Sequence, residues 1–172
     1  MSLTYDAVGA TRAGTPPAGH RRLGVRHRLG PGTAADLARV GEDLLAWRVH
    51  AAAGVRLRTG APRAAPGVDV EALLGLGRAR VPAPCTVVWT VADARRVGFA
   101  YGTRPGHVFS GEEAFVVERD AAGDLWFVVR AFSRPVHPLT RALGPAVPVG
   151  QRAFVALLAL GARRRLRRGR AA

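Results

Sequence analysis

This sequence has no lysine, a single cysteine and no long apolar run. Its 172 residues include a single cysteine, Cys85, which excludes an internal disulfide and any multi-cysteine metal site and is typical of a reducing compartment. The longest strongly apolar run, Ala153–Ala162, is about half of the ~20 residues that a transmembrane helix needs. The first residues lack the basic and apolar regions of a signal peptide. These absences predict a soluble, cytoplasmic protein.

The positive charge comes from arginine alone. All 26 basic residues are arginines, the formal net charge is +14, and six arginines lie in the last ten residues. A basic tail over Arg163–Arg170 could contact nucleic acid or anionic lipid. We favour a different interpretation, a solvated and partly frayed helix end whose cations suit the helix dipole.

Sequence motifs for metals and nucleotides are missing. The five histidines are scattered without an H-x-x-x-H spacing, so a transition-metal site is not predicted. Gly75 and Gly77 form a G-x-G, but the third glycine of the dinucleotide fingerprint does not follow. We therefore expect neither a metal nor a cofactor.

The N-terminal part divides into a leader and a strand. Residues 1–19 are rich in Gly, Pro and Ala and predict an irregular leader, from which Tyr5 and Val8 could dock on the core. Arg21–Leu29 alternates basic and apolar residues, which is typical of a half-exposed strand.

The clearest element is a helix predicted over Thr33–Ala53. Thr33 and Asp36 have the spacing of a capping box, and Gly54 suits the position after the helix end. One apolar stripe follows a helical spacing: Leu37, Val40, Leu44, Trp47 and Ala51.

Strands dominate the next part of the chain. Short strands are predicted at Val55–Arg58 and Val68–Leu76, and a loop at Gly77–Pro84. The Gly and Asp residues of Asp120–Asp124 favour a hairpin turn. Four strong strands follow from the apolar patterns: Cys85–Val91, Val97–Tyr101, Glu112–Arg119 and Leu125–Arg134. Because no helix separates them, they should pair antiparallel.

A terminal helix completes the pattern, predicted over Gln151–Arg168 with Phe154, Leu157, Leu158 and Ala162 at helical spacing. Residues 1–172 are thus expected to form a single α+β domain with a basic tail at 163–172. The order of elements is similar to the helix-grip (START-like) architecture. In that architecture a curved antiparallel sheet packs on a C-terminal helix, here joined by the long helix of the N-terminal half. Such folds often enclose a cavity for an apolar ligand.

The segment Val97–Glu118 carries most of the chemistry. Within thirteen positions it gathers five candidate site residues: Tyr101, Thr103, His107, Glu112 and Glu113. Adjacent carboxylates point to opposite faces of a strand, so one of the two glutamates should point inward. If Glu113 shares a face with Phe115 it is the buried one, with a raised pKa suited to acid–base chemistry beside His107. The alternative, which we favour, is that the inward glutamate bonds an arginine or a loop amide.

A family resemblance rests on the same segment. The block YGTxPGH at Tyr101–His107, followed by GEEAF at Gly111–Phe115 and AFSRP at Ala131–Pro135, resembles the DUF1990 family of uncharacterised proteins. The resemblance implies that Trp47, His107 and Glu113 are shared features and supplies no catalytic roles.

Three functions are expected in order of preference. The first is binding of a small apolar ligand between sheet and helix, with Trp47 and the cluster of Tyr101–Glu113 as the site. The second is an enzyme that uses His107 and Glu113. The third is an interaction protein that uses Arg163–Arg170.

Overall fold

The computed structural model describes residues 2–14, 17–76, 79–142, 144 and 146–170. Its helices are α1 (Ala10–Ala13), α2 (Ala34–Leu45), α3 (Arg48–Ala52), α4 (Pro138–Ala142) and α5 (Ala146–Arg168). Its strands are β1 (Arg21–Pro31), β2 (Leu57–Thr59), β3 (Asp69–Leu76), β4 (Ala79–Ala92), β5 (Arg96–Thr103), β6 (Phe109–Arg119) and β7 (Asp124–Pro135).

All strands of the described residues join one curved sheet. Their order is β1-β7-β6-β5-β4-β3-β2, and every neighbouring pair is antiparallel. The antiparallel pairing expected from the sequence is confirmed, including the β6–β7 hairpin. Register shifts in β1 between Arg28 and Gly30 and in β4 between Val87 and Trp89 help to curve the sheet, because a bulge bends its strand.

The loop predicted at Gly77–Pro84 is wrong for the residues that the structure describes. Strand β4 already begins at Ala79 and pairs with β3 through Pro82 and Pro84. Residues 77 and 78 lie outside the description. Strand β5 joins β4 only from Cys85 onward, so residues 79–84 have a strand neighbour on one side. Proline is tolerated in such an edge position because its missing N–H leaves no ladder bond unmade.

The helix predicted over Thr33–Ala53 is two helices. The capping box is confirmed, since Thr33 Oγ1 accepts the N–H of Asp36 at 3.1 Å and the Asp36 carboxylate accepts the Thr33 N–H. Helix α2 then ends before Trp47, whose left-handed φ of 64° separates it from α3. Ala51 is exposed, so the last member of the predicted stripe faces solvent.

Helices α2 and α5 cover one face of the sheet. Leu37, Val40 and Leu44 are buried against it, and a Cβ at Gly41 would collide with the side chain of Val97. Glycine therefore lets α2 approach β5 closely. On α5 the buried residues are Val155, Leu158, Ala159, Gly161, Ala162 and Leu166.

Helix α5 starts earlier than predicted, at Ala146 instead of Gln151. Pro148 lies in its first turn, where a helix has no N–H bond for proline to break. Leu157, expected on the apolar face, is 49% exposed. The predicted helix-grip arrangement is nevertheless the one observed, a curved sheet around a long terminal helix.

The arginine tail is anchored along its helix, in contrast to the frayed end expected from the sequence. Arg165 donates to both carboxylate oxygens of Asp43, at 2.7 and 2.9 Å, and Asp43 is almost fully buried. Arg164 donates to the Ala52 carbonyl at 2.9 Å, and Arg170 to Asp36 at 3.1 Å. Arg164, Arg165 and Arg170 thus hold the C-terminal end of the chain to α2 and α3.

Residues 1–19 also pack more closely than an irregular leader would. In the described part of this segment Tyr5 is buried, Thr11 is buried in the one-turn helix α1, and Val8 remains 54% exposed. Tyr5 therefore docks on the core as expected, whereas Val8 does not. None of the described helices is both long enough and apolar enough to cross a membrane.

Candidate ligand cavity

A cavity of about 540 Å³ lies between the sheet and the start of α5. Its volume is within the range of ~300–1,000 Å³ that is common for small-molecule sites. The sheet contributes Ala72, Ala83, Cys85, Tyr101, Thr103, Phe109, Gly111, Glu112, Glu113, Ala131, Phe132 and Ser133 to the lining. His107, Thr140, Ala146, Val147, Gly150, Gln151 and Phe154 close the other side. Most of this surface is apolar.

Tyr101 and Glu113 form the main polar contact of the cavity. They are directly opposite each other in the β5–β6 register, and Ala131 is opposite Glu113 in β7. The Tyr101 hydroxyl donates to Oε2 of Glu113 at 3.1 Å. Burial raises the pKa of Glu113 to about 7, although this hydrogen bond acts in the opposite direction. Burial also raises the pKa of Tyr101, and the Glu113 charge adds to that effect. Glu113 therefore faces the cavity with the Tyr101 hydroxyl as its partner. The prediction that it bonds an arginine or a loop amide is wrong for this glutamate.

His107 and Thr103 lie at the β5–β6 end of the cavity. Nδ1 of His107 lies 2.9 Å from the Phe109 amide nitrogen and 3.0 Å from the Phe109 carbonyl oxygen, so this ring nitrogen is tied to the backbone of Phe109. Burial lowers the pKa of His107 to about 4, so the ring is neutral at pH 7. Thr103 Oγ1 accepts the Gly111 N–H at 2.9 Å. Gly111 has a φ of 154°, and a Cβ there would collide with the Phe132 carbonyl. The loop between β5 and β6 is therefore held by hydrogen bonds between residues of the loop and its two flanking strands.

Glu112 belongs to the opposite face of the sheet. Its carboxylate accepts hydrogen bonds from Tyr5 Oη, the N–H and Oγ1 of Thr11, the N–H of Gly9 and Trp89 Nε1. It is 2% exposed. Strand alternation does separate the two glutamates: Glu112 is buried because the N-terminal segment covers the outer face, whereas Glu113 is half-buried on the cavity side. The loop amides expected for an inward glutamate are found here, on Glu112.

Trp47 is placed in the core rather than along the cavity. It is buried, stacks edge-on against Phe99 and donates from Nε1 to the Ala61 carbonyl at 3.1 Å. Beside it His50 is 1% exposed, and neither ring nitrogen has a hydrogen-bond partner among the described residues. Burial lowers the pKa of His50 to about 4. Tyr101, Thr103, His107 and Glu113 thus share the cavity, and Trp47 does not.

Sequence reasoning missed the wall that α5 contributes. Val147, Gly150, Gln151 and Phe154 recur at helical spacing along the cavity, but the helix was predicted to begin only at Gln151. Gln151 Nε2 donates to Ser133 Oγ at 3.3 Å and links this wall to β7. The spacing of these four residues is the signal that could have identified them.

Metal binding has little structural support in the described part of the chain. There, no three His, Cys, Asp or Glu side chains come together in a group that could hold a metal ion. Cys85 is a free, buried thiol in the cavity wall, and burial raises its pKa. A thiol with a raised pKa is a weak nucleophile at neutral pH.

Solved structures share the fold at low sequence identity. A hypothetical protein from Helicobacter pylori is similar with a TM-score of 0.66 and 9% identity, covering 94% of this chain and 97% of that one. A norcoclaurine synthase point mutant from Thalictrum, in complex with a transition-state analogue, has a TM-score of 0.55 and 12% identity over 84% of this chain and 97% of that one. At these identities the similarity shows the fold alone.

Curated relatives match part of the sequence. A UPF0548 protein of Deinococcus radiodurans is 47% identical over 66 residues, which is 38% of this chain and 33% of the relative. A UPF0548 protein of Arabidopsis thaliana is 39% identical over 57 residues, 33% of this chain and 28% of that one. The matched segments thus span about a third of the length of these relatives. The family model described as "Domain of unknown function (DUF1990)" matches residues 4–159, and the chain therefore belongs to the DUF1990 family.

Proposed function

We propose that this protein binds a small, largely apolar molecule in the cavity between the sheet and α5. The observation that carries the proposal is the cavity itself, about 540 Å³ of mainly apolar lining with Tyr101 and Glu113 as a polar contact. Binding sites of this kind combine apolar walls with a few fixed polar groups that orient the ligand. The helix-grip fold supports the proposal, since one protein that shares it holds a transition-state analogue.

The site residues we propose are Tyr101, Thr103, His107 and Glu113, with apolar contacts from α5. Trp47 and Glu112, which were also candidates, support the site indirectly through the core and the N-terminal segment. The domain that carries this function is proposed to be single. A cytoplasmic location, favoured by the presence of a single cysteine, is part of the same proposal.

A blocking variant tests the proposal directly. The probe is a neutral two-ring alcohol, 2-(2-naphthyl)ethanol, and binding is measured by isothermal titration calorimetry and by native mass spectrometry. Gly150 lines the cavity, and a Cβ there would meet no atom within 4 Å, so Gly150→Phe is the variant chosen to place a ring in the cavity. We expect one-to-one binding that Gly150→Phe weakens at least about tenfold.

The matched control is Val149→Phe, which adds a ring to the neighbouring exposed position outside the lining. It should bind the probe as the wild type does. Ala131→Leu repeats the test from the sheet side, beside Glu113. Equal binding by the wild type and both blocking variants would place the probe elsewhere and contradict the proposal.

A second candidate function is acid–base catalysis in the same cavity. The observation that favours it is Glu113, a half-buried carboxyl whose pKa is raised to about 7 and which shares the cavity with the neutral His107. A group that titrates near neutral pH can both accept and donate a proton under working conditions. Deuterium uptake next to the carbonyl of 4-(2-naphthyl)-2-butanone, followed in D₂O, would detect proton abstraction. We expect Glu113→Gln to abolish that exchange while probe binding persists. Exchange that survives in Glu113→Gln would exclude this role.

The third expectation, binding of nucleic acid or anionic lipid by Arg163–Arg170, is not the function we propose. Arg164, Arg165 and Arg170 already donate to groups of the same chain.

A further inference from the structure

Charge is distributed unevenly between the cavity and the rest of the molecule. The chain carries 26 basic residues and a formal net charge of +14. Among the described residues that line the cavity, however, there is no arginine. Of the two glutamates in the lining, Glu112 binds its partners on the other face of the sheet. Glu113 is thus the carboxyl that the cavity presents to an occupant.

The carboxyl of Glu113 lacks a positive partner in the described structure. Its bond is to the hydroxyl of Tyr101, a neutral donor. Apart from Glu112, the other titratable residues of the cavity lining are Tyr101 on β5, Cys85 on β4 and His107 in the β5–β6 loop. The charge of Arg104 acts to lower the pKa of Cys85, against the larger effect of burial. Its guanidinium group, however, donates to the Asp69 carboxylate at 2.6 Å. Among the residues that the structure describes, no neighbouring group therefore supplies the counter-charge.

A buried carboxylate without a counter-ion is costly, and a ligand that brings its own cation removes that cost. We infer that the ligand is an apolar amine whose ammonium group pairs with Glu113 while its hydrocarbon part fills the cavity. This inference rests on the proposed function, because it names the chemical class of the molecule that the cavity binds.

The Tyr101 hydroxyl has a matching role in this arrangement. It donates to Oε2 of Glu113 and so leaves the other carboxylate oxygen for the ammonium group. The largely apolar walls lower the local dielectric constant, which strengthens a charge pair compared with one at the surface. An anionic ligand would meet the opposite situation, a like charge with no arginine beside it.

Binding of an ammonium group should also be linked to protons. Burial raises the pKa of Glu113 to about 7, so near neutral pH part of the population is protonated. A cation favours the ionised carboxylate and displaces that proton. Affinity for an amine should then rise between about pH 6 and about pH 8, with proton release detectable by calorimetry in buffers of different ionisation enthalpy.

Three probes of matched size test the inference at about pH 8, where the carboxylate is ionised. They are 2-(2-naphthyl)ethylamine, the alcohol 2-(2-naphthyl)ethanol and the acid 2-naphthylacetate, titrated into the full chain. We expect the amine to bind at least about tenfold more tightly than the alcohol, and the acid more weakly than both. Glu113→Gln, which keeps the shape and removes the charge, should reduce the amine to the affinity of the alcohol.

The outcomes separate this inference from the proposed function. Equal affinity for amine and alcohol, or an amine preference that persists in Glu113→Gln, overturns the amine class while cavity binding stands. Failure of all three probes to bind contradicts the inference together with the proposed function at this ligand size. A circular dichroism spectrum and urea midpoint of Glu113→Gln confirm that the variant is folded before its affinities are compared.

Discussion

Glu113→Gln should gain free energy of unfolding over the wild type, and this gain should be larger at alkaline pH than at acidic pH. Burial raises the pKa of Glu113 in the folded state to about 7 from an ordinary value of 4.5. Between these two values the unfolded chain has released the proton that the folded protein still holds. Folding stability contributed by this group is therefore fully present below about pH 4.5 and is lost as pH rises through about 7. Glutamine resembles the protonated acid at every pH and does not suffer this loss.

The magnitude follows from the difference between the two pKa values. Each pKa unit corresponds to about 1.36 kcal/mol, so a difference of about 2.5 units corresponds to about 3 kcal/mol. Glu113 is only partly exposed, but the cavity it faces admits water, which reduces the cost of ionisation. We expect the advantage of Glu113→Gln over the wild type to be about 1–3 kcal/mol larger at about pH 8 than at about pH 5.

Urea unfolding of both proteins at the two pH values measures this difference, and pH effects of all other groups cancel in the comparison. Tyr101→Phe is the informative control, because the Tyr101 hydroxyl lowers the pKa of Glu113. Its removal should shift the loss of stability to higher pH. If the free-energy difference between Glu113→Gln and the wild type is the same at both pH values, the carboxyl is not buried in an apolar cavity and the reasoning is refuted.

Four further predictions concern the rest of the molecule. His50→Leu should gain about 2 kcal/mol over the wild type at about pH 5 relative to about pH 8. Burial lowers the His50 pKa to about 4, so the folded state is destabilised as pH falls from 6.5; a pH-independent difference in thermal or urea unfolding would contradict this. Glu112→Ala should cost about 3–5 kcal/mol, because it leaves several buried donors unpaired, and hydrogen exchange should show loss of protection in residues 2–14; unchanged protection there would show that Glu112 does not hold the segment. Truncation after Ala162 should cost about 2–4 kcal/mol, since it removes the buried Leu166 and leaves the buried Asp43 with Arg48 but without Arg165. Neutralising the exposed Arg167 should leave the urea midpoint unchanged. An equally stable truncated protein would mean that the tail is dispensable for folding. Trp47→Ala should lower stability by about 3–5 kcal/mol, as for other buried large aromatics, and an unaltered urea midpoint would place Trp47 in solvent.

Local sequence patterns were sufficient for most secondary structure. The spacing of Thr33 and Asp36 predicted the start of α2, and alternation predicted the four central strands. The turn at Asp120–Asp124 predicted the β6–β7 hairpin. Each of these signals depends on residues a few positions apart, and the physics that acts on them is local: capping bonds, pleat alternation and turn geometry.

The break in the long helix could not be predicted in the same way. Trp47 has a helical spacing from Leu44 and no helix-breaking residue beside it, yet it adopts a left-handed φ. Its ring packs against Phe99 on β5 and its Nε1 reaches the Ala61 carbonyl. The left-handed conformation of Trp47, which local propensity disfavours, thus occurs together with contacts to residues distant in the sequence.

The sequence by itself determined the family, the order of elements and the strand that carries Glu112 and Glu113. Only the tertiary structure decided what each of these carboxylates faces. The N-terminal segment folds over the outer face and surrounds Glu112 with donors, while the first turns of α5 enclose the cavity in front of Glu113. Both segments lie far from β6 in the sequence. The burial that sets the chemistry of a titratable group depends on such long-range packing, which local periodicity does not record.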